Sequence, residues 1–232
     1  MDNLIKCEGL TKRYGKNAAL WNFSVEIPAG KIIGLLGPNG SGKTTLIKSL
    51  SGILMPDAGK MEIAGKEIGT ETKKIVSYLP ERPYFSSALR VKDTLCFFED
   101  FYGDFQRKTA EEMLKTLQID TNSKIGSLSK GTREKVQLVL VMSRKAKVYL
   151  LDEPMGGVDP AARDFILKTI LTNYNEDASV LISTHLISDV EKILDEVIFI
   201  KQGKMALYKS VDEIRMEEKK SVDALFREVF AC

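Results

Sequence analysis

Eight residues, Gly37-Pro38-Asn39-Gly40-Ser41-Gly42-Lys43-Thr44, fit the phosphate-binding pattern G-x-x-x-x-G-K-[ST]. They stand between an apolar run, Ile32 to Leu36, and a helix-like segment, Thr45 to Leu50. A strand, a glycine-rich loop and a helix in that order specify an α/β chain with the loop at the strand's carboxyl end. Glycines let successive backbone N–H groups turn inward around an anion, and the following helix aims its positive end at the same place. Lys43 adds a cation for β- and γ-phosphates, and the Thr44 hydroxyl suits Mg2+, a small hard ion that takes oxygen ligands. The segment therefore predicts a nucleoside triphosphate site.

Other apolar runs carry the remaining chemistry. Val148-Tyr149-Leu150-Leu151 is too short for a helix and reads as a buried parallel strand ending in Asp152-Glu153. In an open α/β sheet the ligand crevice lies at the carboxyl ends of strands, so this pair is expected to face the same cavity as the loop. Asp152 can hold Mg2+ through its water shell, and Glu153 can orient or deprotonate the water that attacks the γ-phosphate. A third run, Val180-Leu181-Ile182, leads through Ser183-Thr184 into His185, the single histidine of the chain. A neutral imidazole there could hydrogen-bond the γ-phosphate or the attacking water. Leu128-Ser129-Lys130-Gly131-Thr132 precedes a helical stretch from Arg133 to Arg144, and Ser129 reads as its N-cap, a second anion-binding helix end.

The 232 residues suit one large domain with inserted parts. Core and β subdomain are expected over about 1–88 and 145–208, a helical subdomain over about 89–144, and a helical tail over about 209–232. Leu4 to Cys7, Trp21 to Ile27 and Met61 to Ala64 have strand-like spacing and predict a small antiparallel sheet. Val91 to Tyr102 and Ala110 to Leu117 read as helices. Val197 to Ile200 and Met205 to Tyr208 flank Lys201-Gln202-Gly203-Lys204, a hairpin signal, and a final amphipathic helix carries Val222, Leu225, Phe226 and Phe230. Phe97, Phe101 and Phe105 follow i, i+4 spacing and are expected in a core.

Lys plus Arg total 34 against 32 Asp plus Glu, so a net charge of +2 gives no argument for nucleic acid. Cys7, Cys96 and Cys232 are odd in number and far apart, which argues for a reduced cytosolic setting and no metal beyond Mg2+. No apolar run approaches the roughly 18 residues of a spanning helix, and Met1-Asp2-Asn3 opens no signal segment.

Taken in order, the P-loop, Leu128-Ser129-Lys130-Gly131, Leu150 to Pro154, Gly157-Val158-Asp159 and His185 resemble the nucleotide-binding domain of ABC transporters. The resemblance runs from about Leu4 to Ile200. It implies a P-loop NTPase core with a mostly parallel sheet, a small N-terminal antiparallel subdomain and an inserted helical subdomain. It implies ATP and Mg2+ as cofactors, with Gly37 through Thr44, Thr45, Ser129 and Gly131 at the nucleotide and Tyr14 stacked on adenine. Glu153 is then the general base, Asp159 an interface residue, and His185 the switch residue. Thr44, Asp152 and Glu81 would attend the metal. Two such domains, alike or different, would pair head to tail, each P-loop facing the partner's Ser129 and Gly131.

The resemblance further implies a separate membrane permease, a place on the cytoplasmic face of the membrane held through it, and, most closely, export-type systems. Tyr84 and Phe85 are expected beside the groove that receives a permease helix. A soluble relative acting on nucleic acid or ribosomes is the alternative, although the duplicated domains or basic extensions of such relatives are absent. The chain departs from the family's L-S-G-G-Q at Lys130 and Thr132, and has Glu81 where a glutamine is common.

Overall fold

In the computed structural model, residues 3–156, 160–175 and 177–231 are described. The chain opens with a long antiparallel hairpin, β1 (Asn3–Tyr14) and β2 (Asn17–Pro28), followed by β3 (Ile32–Leu36) and α1 (Lys43–Leu50). Next come β4 (Ala58–Ile63), β5 (Lys66–Glu67), α2 (Thr70–Ile75) and β6 (Val76–Leu79). Helices α3 (Val91–Phe101), α4 (Arg107–Thr116) and α5 (Lys130–Met142) form the insertion. The chain returns through β7 (Val148–Asp152), α6 (Pro160–Asn173), β8 (Ser179–Thr184) and α7 (Ile187–Val190). It ends with β9 (Glu196–Lys201), β10 (Lys204–Ser210), α8 (Val211–Glu213) and α9 (Val222–Phe230).

Two sheets result. One is antiparallel, in the order β2-β1-β4-β5. The other runs β10-β9-β3-β8-β7-β6, parallel throughout except for β10, which returns antiparallel on β9. The β9–β10 hairpin closes through Gln202 and Gly203, both in the left-handed region at φ 50° and 75°, a turn whose twist matches its strands.

Parallel strands covered on both faces must be apolar at every position, and β3, β7 and β8 are buried end to end. Their side chains alternate between two cores. Ile33, Leu35, Val148, Leu150 and Leu181 face the antiparallel sheet and α1. Ile32, Leu36, Tyr149, Leu151, Val180 and Ile182 face α5, α6 and the C-terminal helix. The terminal amphipathic helix, α9, sets Phe226 and Phe230 against Phe199 of β9, with ring centroids 5.5 and 5.9 Å away.

The helical insertion has its own core, built from Val91, Leu95 and Phe98 of α3 with residues of α4 and α5. Here the expectation for the phenylalanines needs correction. Phe105 is buried, but Phe97 and Phe101 are 45% and 70% exposed. Residues 91, 95 and 98 make the inward stripe, so 97 and 101 fall on the outer face of the same helix; Phe105 lies past its end, where helical spacing no longer applies. Arg144 ties this insertion to the sheet. It is 2% exposed, forks onto Asp104 at 2.8 and 3.1 Å, and donates to the carbonyls of Val76 and Lys74, each at 2.6 Å.

Candidate active site

The loop between β3 and α1 is shaped by close approach. Gly42 has φ 113°, and a Cβ there would lie 2.3 Å from the Ala19 carbonyl oxygen. Only glycine fits both conditions. Lys43 folds back into the loop and donates to the carbonyls of Gly37 at 2.7 Å and Pro38 at 3.2 Å. Burial lowers the pKa of its ammonium, against the opposing pull of Glu153 and Asp152.

Three neighbouring parallel strands, β3, β8 and β7, deliver the other groups from their carboxyl ends. Asp152 is buried, and its Oδ1 accepts from Thr44 Oγ1 at 3.1 Å and Ser183 Oγ at 2.6 Å. Its Oδ2 is buried with no hydrogen-bond partner among the described residues. Desolvation raises its pKa, the Ser183 and Thr44 hydroxyls oppose this, and Glu81 and Glu153 add to it. A carboxylate oxygen left bare beside a loop hydroxyl fits Mg2+, which prefers oxygen and completes its shell with water and phosphate.

Glu153 follows directly, with φ 50°. That backbone costs a non-glycine residue about 1–3 kcal/mol and clusters at functional sites. Ser183 holds it there, accepting from the Glu153 N–H through its carbonyl at 3.0 Å and its hydroxyl at 3.1 Å. The turn sends the carboxylate to His185, whose Nδ1 lies 2.9 Å from Glu153 Oε2.

Lys43, Thr44, Glu153 and His185 border one cleft of 880 Å³, lined also by Tyr14, Asn39 to Gly42, Thr45 and Glu81, while Asp152 and Ser183 are buried and do not line it. Tyr14 is 53% exposed at its mouth, which leaves its ring face open to a planar base. Gly37 and Pro38 act through the carbonyls that hold Lys43. Ser129 and Gly131 do not line the cleft, although Lys130 between them does. Ser129 caps α5, accepting from the Thr132 N–H at 3.1 Å, and its hydroxyl also pairs with that of Thr132 at 2.8 Å. The N-cap places the helix start at Lys130, three residues before the Arg133 expected from the sequence. Asp159 lies outside the described residues.

Sequence reasoning gave no role to Ser183, which organises both carboxylates. A hydroxyl at the end of the otherwise apolar run Val180-Leu181-Ile182 was the available signal.

A P-loop with a metal-suited aspartate and an adjoining carboxylate–imidazole pair at the carboxyl ends of a parallel sheet defines a nucleoside triphosphatase. The ABC transporter family model matches residues 20–156. The chain is 30% identical to an uncharacterized ABC transporter ATP-binding protein, YxlF of Bacillus subtilis, over 96% of this chain and 76% of that protein. It is 32% identical to the SkfA peptide export ATP-binding protein SkfE of Bacillus subtilis, over 97% of this chain and 98% of that protein. A solved ATP-binding subunit of an ABC transporter superposes with a TM-score of 0.86 and 27% identity, covering 97% of this chain and 99% of that one. The chain belongs to the ABC transporter family, as an ATP-binding subunit that hydrolyses ATP to power transport.

Proposed function

We propose that this subunit drives export, through Mg-ATP bound between two copies of the fold and hydrolysed with Glu153 as base. The observation that carries the site is the meeting of Lys43, Thr44, Asp152, Glu153 and His185 at the ends of β3, β7 and β8. Lys43 leaves the Gly37 and Pro38 carbonyls for the β- and γ-phosphates, while the loop N–H groups and α1 hold the anion. Asp152 Oδ2, Thr44 and Glu81 hold Mg2+, which when bound neutralises charge on the phosphate oxygens. Glu153 takes a proton from the attacking water, and His185 fixes that carboxylate from its far side. Tyr14 stacks on adenine.

Ser129 and Gly131, at the capped start of α5, do not line the chain's own cleft, which supports their use at a partner's phosphate. One such pairing would give two composite sites, from identical or related subunits. Among the described residues no helix is long and apolar enough to cross a membrane, so a separate permease is proposed to hold the subunit at the cytoplasmic face of the membrane. A groove of 560 Å³ between sheet and insertion suits that contact, with Tyr84, Phe97 and Tyr102 among its apolar lining and Lys48, Lys73 and Arg82 among its charged lining. Export is proposed from likeness to SkfE. The division into a core with its β subdomain (about 1–88 and 145–208), a helical subdomain (about 89–144) and a tail (about 209–232) is proposed alongside. Turnover and nucleotide affinity of Glu153→Gln test the site: affinity is expected to persist while hydrolysis is lost, and retained hydrolysis would refute the base.

A further inference from the structure

Helix α5 carries two side chains with buried polar atoms that have no hydrogen-bond partner among the described residues. Gln137 is 2% exposed, and neither its amide nitrogen nor its amide oxygen has a hydrogen-bond partner among the described residues. One turn earlier, Glu134 buries Oε2 without a partner, while its Oε1 lies 3.8 Å from Lys130 Nζ. Residues three apart share a helix face. Buried polar atoms left unpaired are costly and rare, so three at one place require a ligand.

Both side chains line a cavity of 20 Å³, together with Glu81 and Glu153. Glu81, Glu134 and Glu153 also line the nucleotide cleft, which makes the cavity a side chamber of it. The volume accommodates a single water and excludes a hydrated ion or a nucleotide group, since one water needs roughly 10–15 Å³. The described residues hold no cluster of three His, Cys, Asp or Glu suited to a metal. An amide that both donates and accepts, flanked by carboxylates, suits a water that does the same.

We propose that this chamber binds one ordered water joining α5 to the Glu153 carboxylate, with Gln137 as a positioning residue for hydrolysis. The inference rests on Glu153 acting as the base. Gln137 Nε2 donates to the water oxygen. The water donates one hydrogen to Glu153 and the other to Glu134 Oε2 or Gln137 Oε1. The carboxylate is then steadied from two sides, by His185 from β8 and by the water from α5. Its aim at the attacking water depends on where the helical insertion stands.

Gln137→Met keeps the volume and removes the amide. In the full-length chain it is expected to lower kcat for ATP about tenfold or more, the scale on which small misplacements act. KM and the affinity for a fluorescent ATP analogue should stay within about twofold, because only the hydrolytic step loses support. An unchanged kcat in a variant folded by circular dichroism overturns the link. A fall in affinity parallel to kcat also overturns it, since that marks a structural role. A high-resolution crystal structure of the parent chain is the second test, expected to show one water bonded to the Gln137 amide; an empty chamber refutes the proposal. Glu153→Gln separates the two readings. If it still hydrolyses ATP the base assignment fails, whereas an inactive Glu153→Gln beside a fully active Gln137→Met defeats the link alone.

Discussion

His185 Nδ1 lies 2.9 Å from Glu153 Oε2, joining the residue after β8 to the residue after β7. The role proposed for the lone histidine rests on this contact. A hydrogen on Nδ1 is donated to this carboxylate, and in that tautomer Nε2 is an acceptor. Glu153 sits at φ 50° and depends on such partners to keep its aim. His185→Ala is therefore expected to reduce kcat about 100-fold, on the scale of a positioned acid–base group, with ATP affinity unchanged. Single-turnover hydrolysis and equilibrium nucleotide binding on the same preparation measure the two effects separately; a matching loss of affinity would contradict the assignment.

Asp152 predicts a conflict between stability and function. Burial raises its folded pKa above the unfolded value, with Glu81 and Glu153 adding to the shift. Between those two values the native state holds a proton that the unfolded chain releases, so stability falls as pH rises through that window. The cost is fully present above the folded pKa. In the absence of nucleotide, Asp152→Asn should raise the thermal midpoint at pH 7 by about 2 °C or more, the response of a chain this size to 1 kcal/mol. The gain should shrink as pH falls through that window, where the parent carboxyl takes up its own proton. The same variant should lose Mg2+-dependent nucleotide binding. Melting curves across pH check the first part, and a midpoint lower than the parent's at neutral pH would contradict it.

Ser129 and Lys43 are predicted to serve different sites in one dimer. Lys43→Ala removes the phosphate cation, and Ser129→Arg places a bulky side chain at the start of α5. When the two defects are carried by different subunits, a head-to-tail pair concentrates both in one composite site and leaves the other intact. Mixed dimers should then hydrolyse ATP at about half the parental rate, if the two sites fire independently, while either homodimer is inactive. A confirmed heterodimer as dead as both homodimers would show that the sites are not composite or cannot fire alone.

The groove distinguishes Tyr84 from Phe85. Tyr84 lines it and is 51% exposed, but Phe85 turns inward to Phe98, with ring centroids 6.1 Å apart, and joins the core of the insertion. The expectation that Phe85 stands beside the groove is thus revised: Tyr84 and the outward Phe97 line the groove proposed for the permease, and Phe85 does not. Phe97→Asp is expected to leave the fold and ATP binding intact and to abolish capture of the subunit by permease-containing membranes. Phe85→Asp should instead destabilise the insertion by about 1–3 kcal/mol, since it removes half-buried packing against Phe98. Co-sedimentation with membranes and urea unfolding discriminate the two, and full membrane capture of Phe97→Asp would move the contact elsewhere.

Local chemistry was legible in the chain because it is written in adjacent residues. The order Ile32 to Leu36, glycine loop and Lys43-Thr44 specifies a phosphate cradle wherever it occurs, and Val148 to Asp152 announces a buried strand that ends in carboxylates. Ser129 marked its helix start by the same local rule, confirmed by its bond to the Thr132 N–H. Residues far apart in sequence gave no such signal. That Ser183 would fix Asp152 and turn Glu153 toward His185 follows from β8 lying between β3 and β7, a strand order that no single segment encodes. The fate of Phe97 and Phe101 was likewise decided by which side of α3 met α4 and α5, because helical spacing identifies a stripe without saying whether that stripe faces in or out. The unpaired amide of Gln137 became visible only when α5 was packed against the catalytic cleft, since a glutamine in a helix is unremarkable until its surroundings exclude water.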